Sequence, residues 1–309
     1  LNLPAGDASD TTPRYHAAFD GLQTPWPGAA LWRSIDGEAT YQQLISTTLE
    51  AWTGIVADAM ADADPHVLDT ASEITVIVDQ GTLTSISDAA LYEHGNLASL
   101  GEEIFCFGVA ELVAPSTYEL SRFLRGRRGT EDKTGSHVDN ERLFILDAAI
   151  RKVDMQSVGE RGIVRDYKSP TAGESLADAY HTTFAPTAAN LIPFSVAYPR
   201  AEQSGLDWTF FWFMRSRYGG SLINLALVSF DFDHLGFRID LFTDGTYATL
   251  VRSILTDGGM GLDAEAEATY LYNEAAQIAD YGSAQSTLYY RIVQLTTTSA
   301  SRALNLIAA

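Results

Sequence analysis

The run Arg122-Phe123-Leu124-Arg125-Gly126-Arg127-Arg128-Gly129-Thr130 places four of the chain's 20 Lys and Arg residues within seven positions. Three readings compete for it. The glycines would let a backbone approach a phosphate, as in anion-binding turns. Guanidinium forks could instead clamp carboxylates of neighbouring loops or neighbouring chains, and a solvated loop is the third possibility. Beyond Phe123 the run lacks interleaved aromatics for stacking bases, so the clamp is favoured, with Arg122, Arg125, Arg127 and Arg128 as its assembly contacts. Asp231-Phe232-Asp233-His234 sets two carboxylates on one face of an extended segment, as a hard cation requires. Phe232 and Leu235 beside them point rather to a strand edge or an interface. Glu102-Glu103 resembles half of a glycosidase acid/base pair without an identifiable second half, and is expected to be an exposed acidic pair. Asp58, Asp62 and Asp64 read as a solvated face.

The six histidines are scattered, and none pairs with another at the three-to-five residue spacing of a zinc site. There is no Gly-x-Ser-x-Gly elbow, phosphate-binding Gly-x-x-x-x-Gly-Lys-Ser/Thr loop, His-Glu-x-x-His or Cys-x-x-Cys. The sequence therefore implies no catalytic residue, cofactor or metal, and a protein that is not an enzyme.

The elements that would position these residues read as β-strands. Apolar runs at Ala30-Leu31-Trp32, Ile74 to Val78, Leu83 to Ile86, Glu103 to Phe107, Tyr118 to Leu120 and Leu143 to Leu146 are punctuated by turn chemistry. Between Tyr41 and Met60 the apolar spacing fits either one helix or two strands. Gly159 to Ala188 reads as long loops with a weak strand near Ile163-Val164, and Pro193 and Pro199 bracket an edge-like strand, Phe194 to Tyr198. Further on, Leu206 to Met214 carries Trp208, Phe210 and Trp212 on one face and Phe211 and Phe213 on the other. Asp244-Gly245 marks a hairpin between Gly236–Phe242 and Tyr247–Leu255. With Thr269 to Tyr272, Thr287 to Leu295 and Ala303 to Ile307, seven short strands in about 110 residues match a fibronectin-III or immunoglobulin-like sandwich. The fold class expected is thus mainly β. Residues 1–30, with four prolines, form an extended arm or linker; residues 31–190 form a β-rich module, and residues 191–309 a fibronectin-III-like sandwich.

The 309 residues carry a net charge of -20 from 20 basic and 40 acidic side chains, and 46% are hydrophobic, enough to fill real cores. The acidity is uneven: Arg122 to Lys168 alone sums to +3, leaving -23 on the rest. Such a field repels nucleic acid and anionic lipid over most of the surface. The longest dense apolar stretch, Trp208 to Met214, is far short of the roughly 20 residues of a membrane-spanning helix. A single cysteine, Cys106, excludes an internal disulfide. The opening residues lack the basic start and apolar middle of a signal peptide, and the chain is expected to be a portion of a larger protein or its split equivalent.

Several segments in order resemble a known family. Gly95-Asn96-Leu97-Ala98, Gly101 to Ala110 and Tyr118 to Glu131, with its Leu-Arg-Gly-x-x-Gly-Thr motif, are similar to the C-terminal part of the large tail-tip or baseplate hub proteins of long-tailed phages and gene transfer agents. Gly28 to Ser34, Gly81 to Ser87, His137 to Leu146, Gly173 to Ala179, Trp208 to Arg217 and Ala279 to Gly282 extend the resemblance over nearly the whole chain. Departures are the Phe213-Met214-Arg215 stretch and the region Ser299 to Ala303, where more glycine is expected. The resemblance implies a virion structural protein at the distal end of the tail. Its implied partners are two further copies of itself in a homotrimer, the distal tail protein, the hub, other tail-tip or fibre proteins, and a host surface receptor. A receptor- or carbohydrate-binding module is the runner-up, with Tyr218, Tyr247 and Tyr289 as its candidate aromatic surface.

Overall fold

The computed structural model describes residues 1–6, 10–21, 25–217, 230–259 and 266–309. It is mainly β. The chain divides into two compact units, one comprising Leu1–Pro4 and Asp10–Asn190, the other built on Leu191–Ala309.

The strands of the first unit are β1 (Arg14–Ala17), β2 (Ala29–Ser34), β3 (Gln42–Thr47), β4 (Thr53–Val56), β5 (Leu68–Val78), β6 (Leu97–Leu100), β7 (Glu103–Ala114), β8 (Thr117–Leu124), β9 (Arg142–Ile145), β10 (Arg151–Asp154), β11 (Arg165–Ser169) and β12 (Tyr180–Phe184). Six of them close a barrel in the order β4-β5-β8-β7-β6-β9. Strand β7 shows why it closes on both sides. Phe105 and Phe107 face the interior with Val76, Leu120, Phe123 and Leu143. The alternate residues Ile104 and Cys106 join Leu91, Leu97 and Leu124 in a second cluster, so the period-two pattern is apolar on both faces. Leu91 belongs to the short helix α1 (Asp88–Tyr92), whose start is capped by the Ser87 hydroxyl accepting from Ala90 N–H.

Outside the barrel, β12-β11-β2-β3 form a four-stranded sheet and β1 pairs with β10. The proline-rich start of the chain therefore includes a paired strand, β1, with Tyr15 packed edge-on to Tyr167 at 5.9 Å. The Tyr41–Met60 ambiguity resolves as two strands, β3 and β4. Leu83–Ile86 is not a strand. It runs beside β7, tied by Ile86 N–H to Gly108 O at 2.8 Å and by the Ser85 side chain, without forming a ladder. The strand expected at Ile163-Val164 begins two residues later, as β11.

The second unit contains β13 (Ala197–Ser204), β14 (Asp207–Phe213), β15 (His234–Phe242), β16 (Leu250–Thr256), β17 (Ala268–Tyr272), the helix α2 (Glu274–Tyr281), β18 (Leu288–Thr296) and β19 (Leu306–Ala308). Sheet β13-β14-β17 and sheet β16-β15-β18-β19 share one core. The seven strands described in this unit thus divide three plus four between two sheets. Trp208, Phe210 and Trp212 point into the core while Phe211 and Phe213 are half-buried on the opposite face. Phe210 meets Tyr290 at 4.9 Å and Trp212 meets Phe237 edge-on at 5.2 Å, joining the sheets. The first strand starts at Ala197 rather than Phe194 and carries Pro199 through a bulge between Ala197 and Arg200, where no ladder donor is missed.

Candidate functional site

The arginine motif follows β8 and closes one end of the barrel. Strand alternation explains how. Glu103 shares the interior face of β7 with Phe105 and Phe107, and Arg125 continues the interior face of β8 beyond Phe123. Neither Arg125 nor Glu103 has any exposed surface. Their guanidinium and carboxylate form a bidentate pair, Nε to Oε1 at 2.9 Å and Nη2 to Oε2 at 2.9 Å. The remaining N–H groups of Arg125 donate to Ala61 O at 2.8 Å, Asp69 Oδ2 at 3.4 Å and Thr134 O at 2.7 Å. All five donors of the fork are thus used inside the chain.

The loop after Arg125 is shaped to bring these groups together. Gly126 adopts φ +59, and its N–H donates to Glu103 Oε1 at 2.7 Å. A side chain at this glycine would lie 2.8 Å from the Glu131 backbone, so only glycine fits there. Thr130 Oγ1 accepts from Ile104 N–H at 3.0 Å and donates to Arg127 O at 2.8 Å, folding the loop back onto β7. Arg127 donates to Arg125 O and Pro65 O, and Arg128 occupies a left-handed conformation at φ +55. Arg122 lies on the surface, 2.7 Å from Asp88.

His137 completes the cluster, its ring between two carboxylates: Nε2 is 2.6 Å from Glu103 Oε2 and Nδ1 is 2.8 Å from Glu141 Oε2. Burial alone would lower its pKa, but the hydrogen bonds to Glu103 and Glu141 outweigh burial and raise it. Burial would likewise raise the Glu103 pKa, yet the bonds from His137 and Arg125 hold it below the ordinary glutamate value. An imidazole ring and a guanidinium therefore both face the one buried Glu103 carboxylate.

The expected clamp is present as a brace within the chain. The reading of Glu102-Glu103 as an exposed pair is corrected: Glu102 is exposed and meets Lys133 at 2.6 Å, whereas Glu103 lies at the centre of the brace. With no exposed surface, Arg125 has none to offer another chain; Arg122, Arg127 and Arg128 are half-buried. Among the acidic face residues, Asp62 is exposed and accepts from Thr134 Oγ1 at 2.7 Å. Sequence reasoning missed His137 and Glu141, whose Glu-x-x-x-His-like spacing in reverse, four residues apart, was the only signal.

Asp231 and Asp233 serve a second brace, in the second unit. Both are buried, and both bind Arg217, which has no exposed side-chain surface: Nε donates to Asp231 Oδ2 at 2.7 Å and Nη2 to Asp233 Oδ1. Arg217 also donates to Leu191 O at 2.7 Å. A cation site at these carboxylates is replaced by a guanidinium.

Of the candidate tyrosines, Tyr247 and Tyr289 pack edge-to-face at 6.1 Å, and the Tyr247 hydroxyl donates to Leu306 O at 2.8 Å. Neither is fully exposed; Tyr218 lies outside the described residues. A cleft of about 680 Å³ opens instead in the first unit, lined among others by Phe19, Asp20, Trp26, Arg142, Glu174 and Tyr180. It combines aromatic rings with carboxylates and a guanidinium.

Compared with known families, residues 51–144 match the family model described as Rcc01698-like, C-terminal. The matched stretch runs from just before β4 into β9, the full circuit of the barrel, and includes the arginine motif. No curated protein matches the chain.

Proposed function

We propose that the chain is a non-catalytic structural component of the distal end of a phage or gene-transfer-agent tail. In this reading it assembles as a homotrimer around the tail axis. It links the tail tube, through the distal tail protein and hub, to fibres or host-contacting parts. The observation that carries the reading is the use made of the motif on which the resemblance rests. Its arginine, glycine and threonine residues brace a barrel end, with every donor of Arg125 engaged by the chain itself. A scaffold element has this chemistry, rigid and inward-facing. The match of residues 51–144 to a family model over the same barrel supports treating it as one inherited module.

Mass measurement by light scattering at micromolar concentration, together with mass spectrometry of purified particles, tests the proposal. A trimeric mass and presence in particles are expected. A strictly monomeric mass combined with absence from particles would overturn it.

The cleft favours a second reading, a receptor- or carbohydrate-binding module, because an aromatic ring beside carboxylates suits a sugar face and its hydroxyls. Particles carrying Trp26→Ala that assemble normally but lose host adsorption would favour it.

A further inference from the structure

The four-stranded sheet of the first unit brings together three side chains far apart in sequence. His181 stands on β12 directly opposite Lys168 of β11, and Asp166 lies two residues earlier on the same face of β11. Glu38 comes from the turn joining β2 to β3. One ligand atom from each of the three lies within 4.8 Å of the other two. His181 Nε2 is 3.2 Å from Asp166 Oδ1 and 3.8 Å from Glu38 Oε2.

These separations are longer than the roughly 2.7–2.9 Å of a charge-assisted hydrogen bond. They straddle the edge of about 3.4 Å expected between two ligands bound at about 2.1 Å in a tetrahedral site. The charges point the same way. Among the described residues, His181 is the only ion-pair partner of either carboxylate. The ammonium of Lys168, opposite His181 on β11, sits over the Tyr41 ring, 5.3 Å from its centroid. Two carboxylates thus converge on one imidazole without a guanidinium or ammonium between them, in contrast to Glu103, Asp231 and Asp233.

Glu38 is held toward the cluster by its turn. The Asp36 carboxylate accepts from Thr40 N–H at 2.9 Å, Thr40 Oγ1 at 2.6 Å and Ser34 Oγ at 2.7 Å, while Ser34 Oγ accepts from Glu38 N–H at 3.0 Å. The Tyr41 hydroxyl donates to the same Glu38 Oε2 at 3.2 Å.

We propose that Glu38, Asp166 and His181 bind one divalent cation of the zinc class, through one imidazole nitrogen and two carboxylate oxygens, with the fourth position open to water. Imidazole suits Zn²⁺, and for a mixed N/O set Zn²⁺ ranks above the lighter divalent metals except Ni²⁺ and Cu²⁺. The ion would pin the β2–β3 turn to β12, joining residues 38, 166 and 181 at a single point.

Calorimetric titration of the chelator-treated full chain with Zn²⁺, followed by thermal melting with and without the ion, tests this. One Zn²⁺ per chain and a raised melting temperature are expected, with Co²⁺ giving visible absorption bands from the same site. Glu38→Gln, Asp166→Asn and His181→Ala should each weaken binding at least about tenfold and remove the thermal shift. His66→Ala, at an exposed histidine elsewhere, should keep both. Melting curves of the metal-free variants that match metal-free wild type establish that they fold. Absence of Zn²⁺ uptake by the wild-type chain, or uptake unchanged in folded His181→Ala, overturns the site.

Discussion

The two carboxylates beside His137 favour its protonated form, and this gives the barrel a pH dependence that a single residue can report. Folding raises the His137 pKa. Its contribution is therefore complete below its unfolded value, about 6.5, and is lost as pH rises through the folded value. Glu103 works in the opposite sense. Its pKa is depressed on folding, so its contribution is complete above about 4.3 and is lost as pH falls through the folded value. The brace is accordingly strongest between about pH 4.3 and 6.5. His137→Gln keeps the approximate shape but not the charge, and should lose about 1–3 kcal/mol near pH 6. The stability difference between wild type and variant, measured by denaturant melts from pH 6 to 9, should shrink as pH rises. Taking the difference cancels the other titrating groups. A gap that stays constant over that range would show that His137 is not held protonated by the fold.

At the scale of elements, Arg125 ties β7, through Glu103, to β5, through Asp69, and to the backbone at Ala61 and Thr134. Arg122, three residues earlier, makes a surface pair with Asp88 on α1. The two arginines look equivalent in the sequence, and the magnitudes separate them. Removing one partner of a buried pair leaves an uncompensated charge, costing about 3–5 kcal/mol, whereas an exposed pair contributes about 0–1 kcal/mol. Arg125→Ala should therefore destabilise the chain by about 3–5 kcal/mol and Arg122→Ala by less than about 1 kcal/mol, as read by chemical denaturation. Equal losses would mean that the brace is not what holds the barrel end.

The same contrast explains what could be read in advance. A clamp was legible because four cations in seven positions of an acidic chain need partners. Its partners were not, because Glu103 and Asp69 lie 22 and 56 residues away and meet Arg125 only after the barrel closes. Strands such as β14 and β18 were legible from local alternation of large apolar residues. The barrel was not, since β6 is buried at all four positions and shows no alternation; nor was the four-stranded sheet, whose polar strands are half-buried in β11 and largely open to solvent in β12. Both helices escaped notice because they are short. Their Ser87 and Asn273 caps were visible signals, but five and eight residues hold too few turns to show a period.

Over the whole molecule, the structure changes what the uneven charge means. The basic stretch from Arg122 to Lys168 faces acids supplied by other parts of the same chain. Arg122 meets Asp88, Arg125 meets Glu103 and Asp69, Lys133 meets Glu102, Arg142 meets Asp20 and Asp79, and Lys152 meets Asp10. Five of the stretch's eleven cations are thus engaged by acids of the same chain. Self-association must then work against the repulsion between chains carrying -20 each. That repulsion reaches about 30 Å at 0.01 M salt but only about 8 Å at 0.15 M. The proposed trimer should consequently strengthen as salt rises over this range, and sedimentation velocity at fixed protein concentration would show the larger species growing. An assembly that dissociates on adding salt would mean that contacts between opposite charges on neighbouring chains dominate. The arginine stretch would then have to exchange its internal partners for external ones.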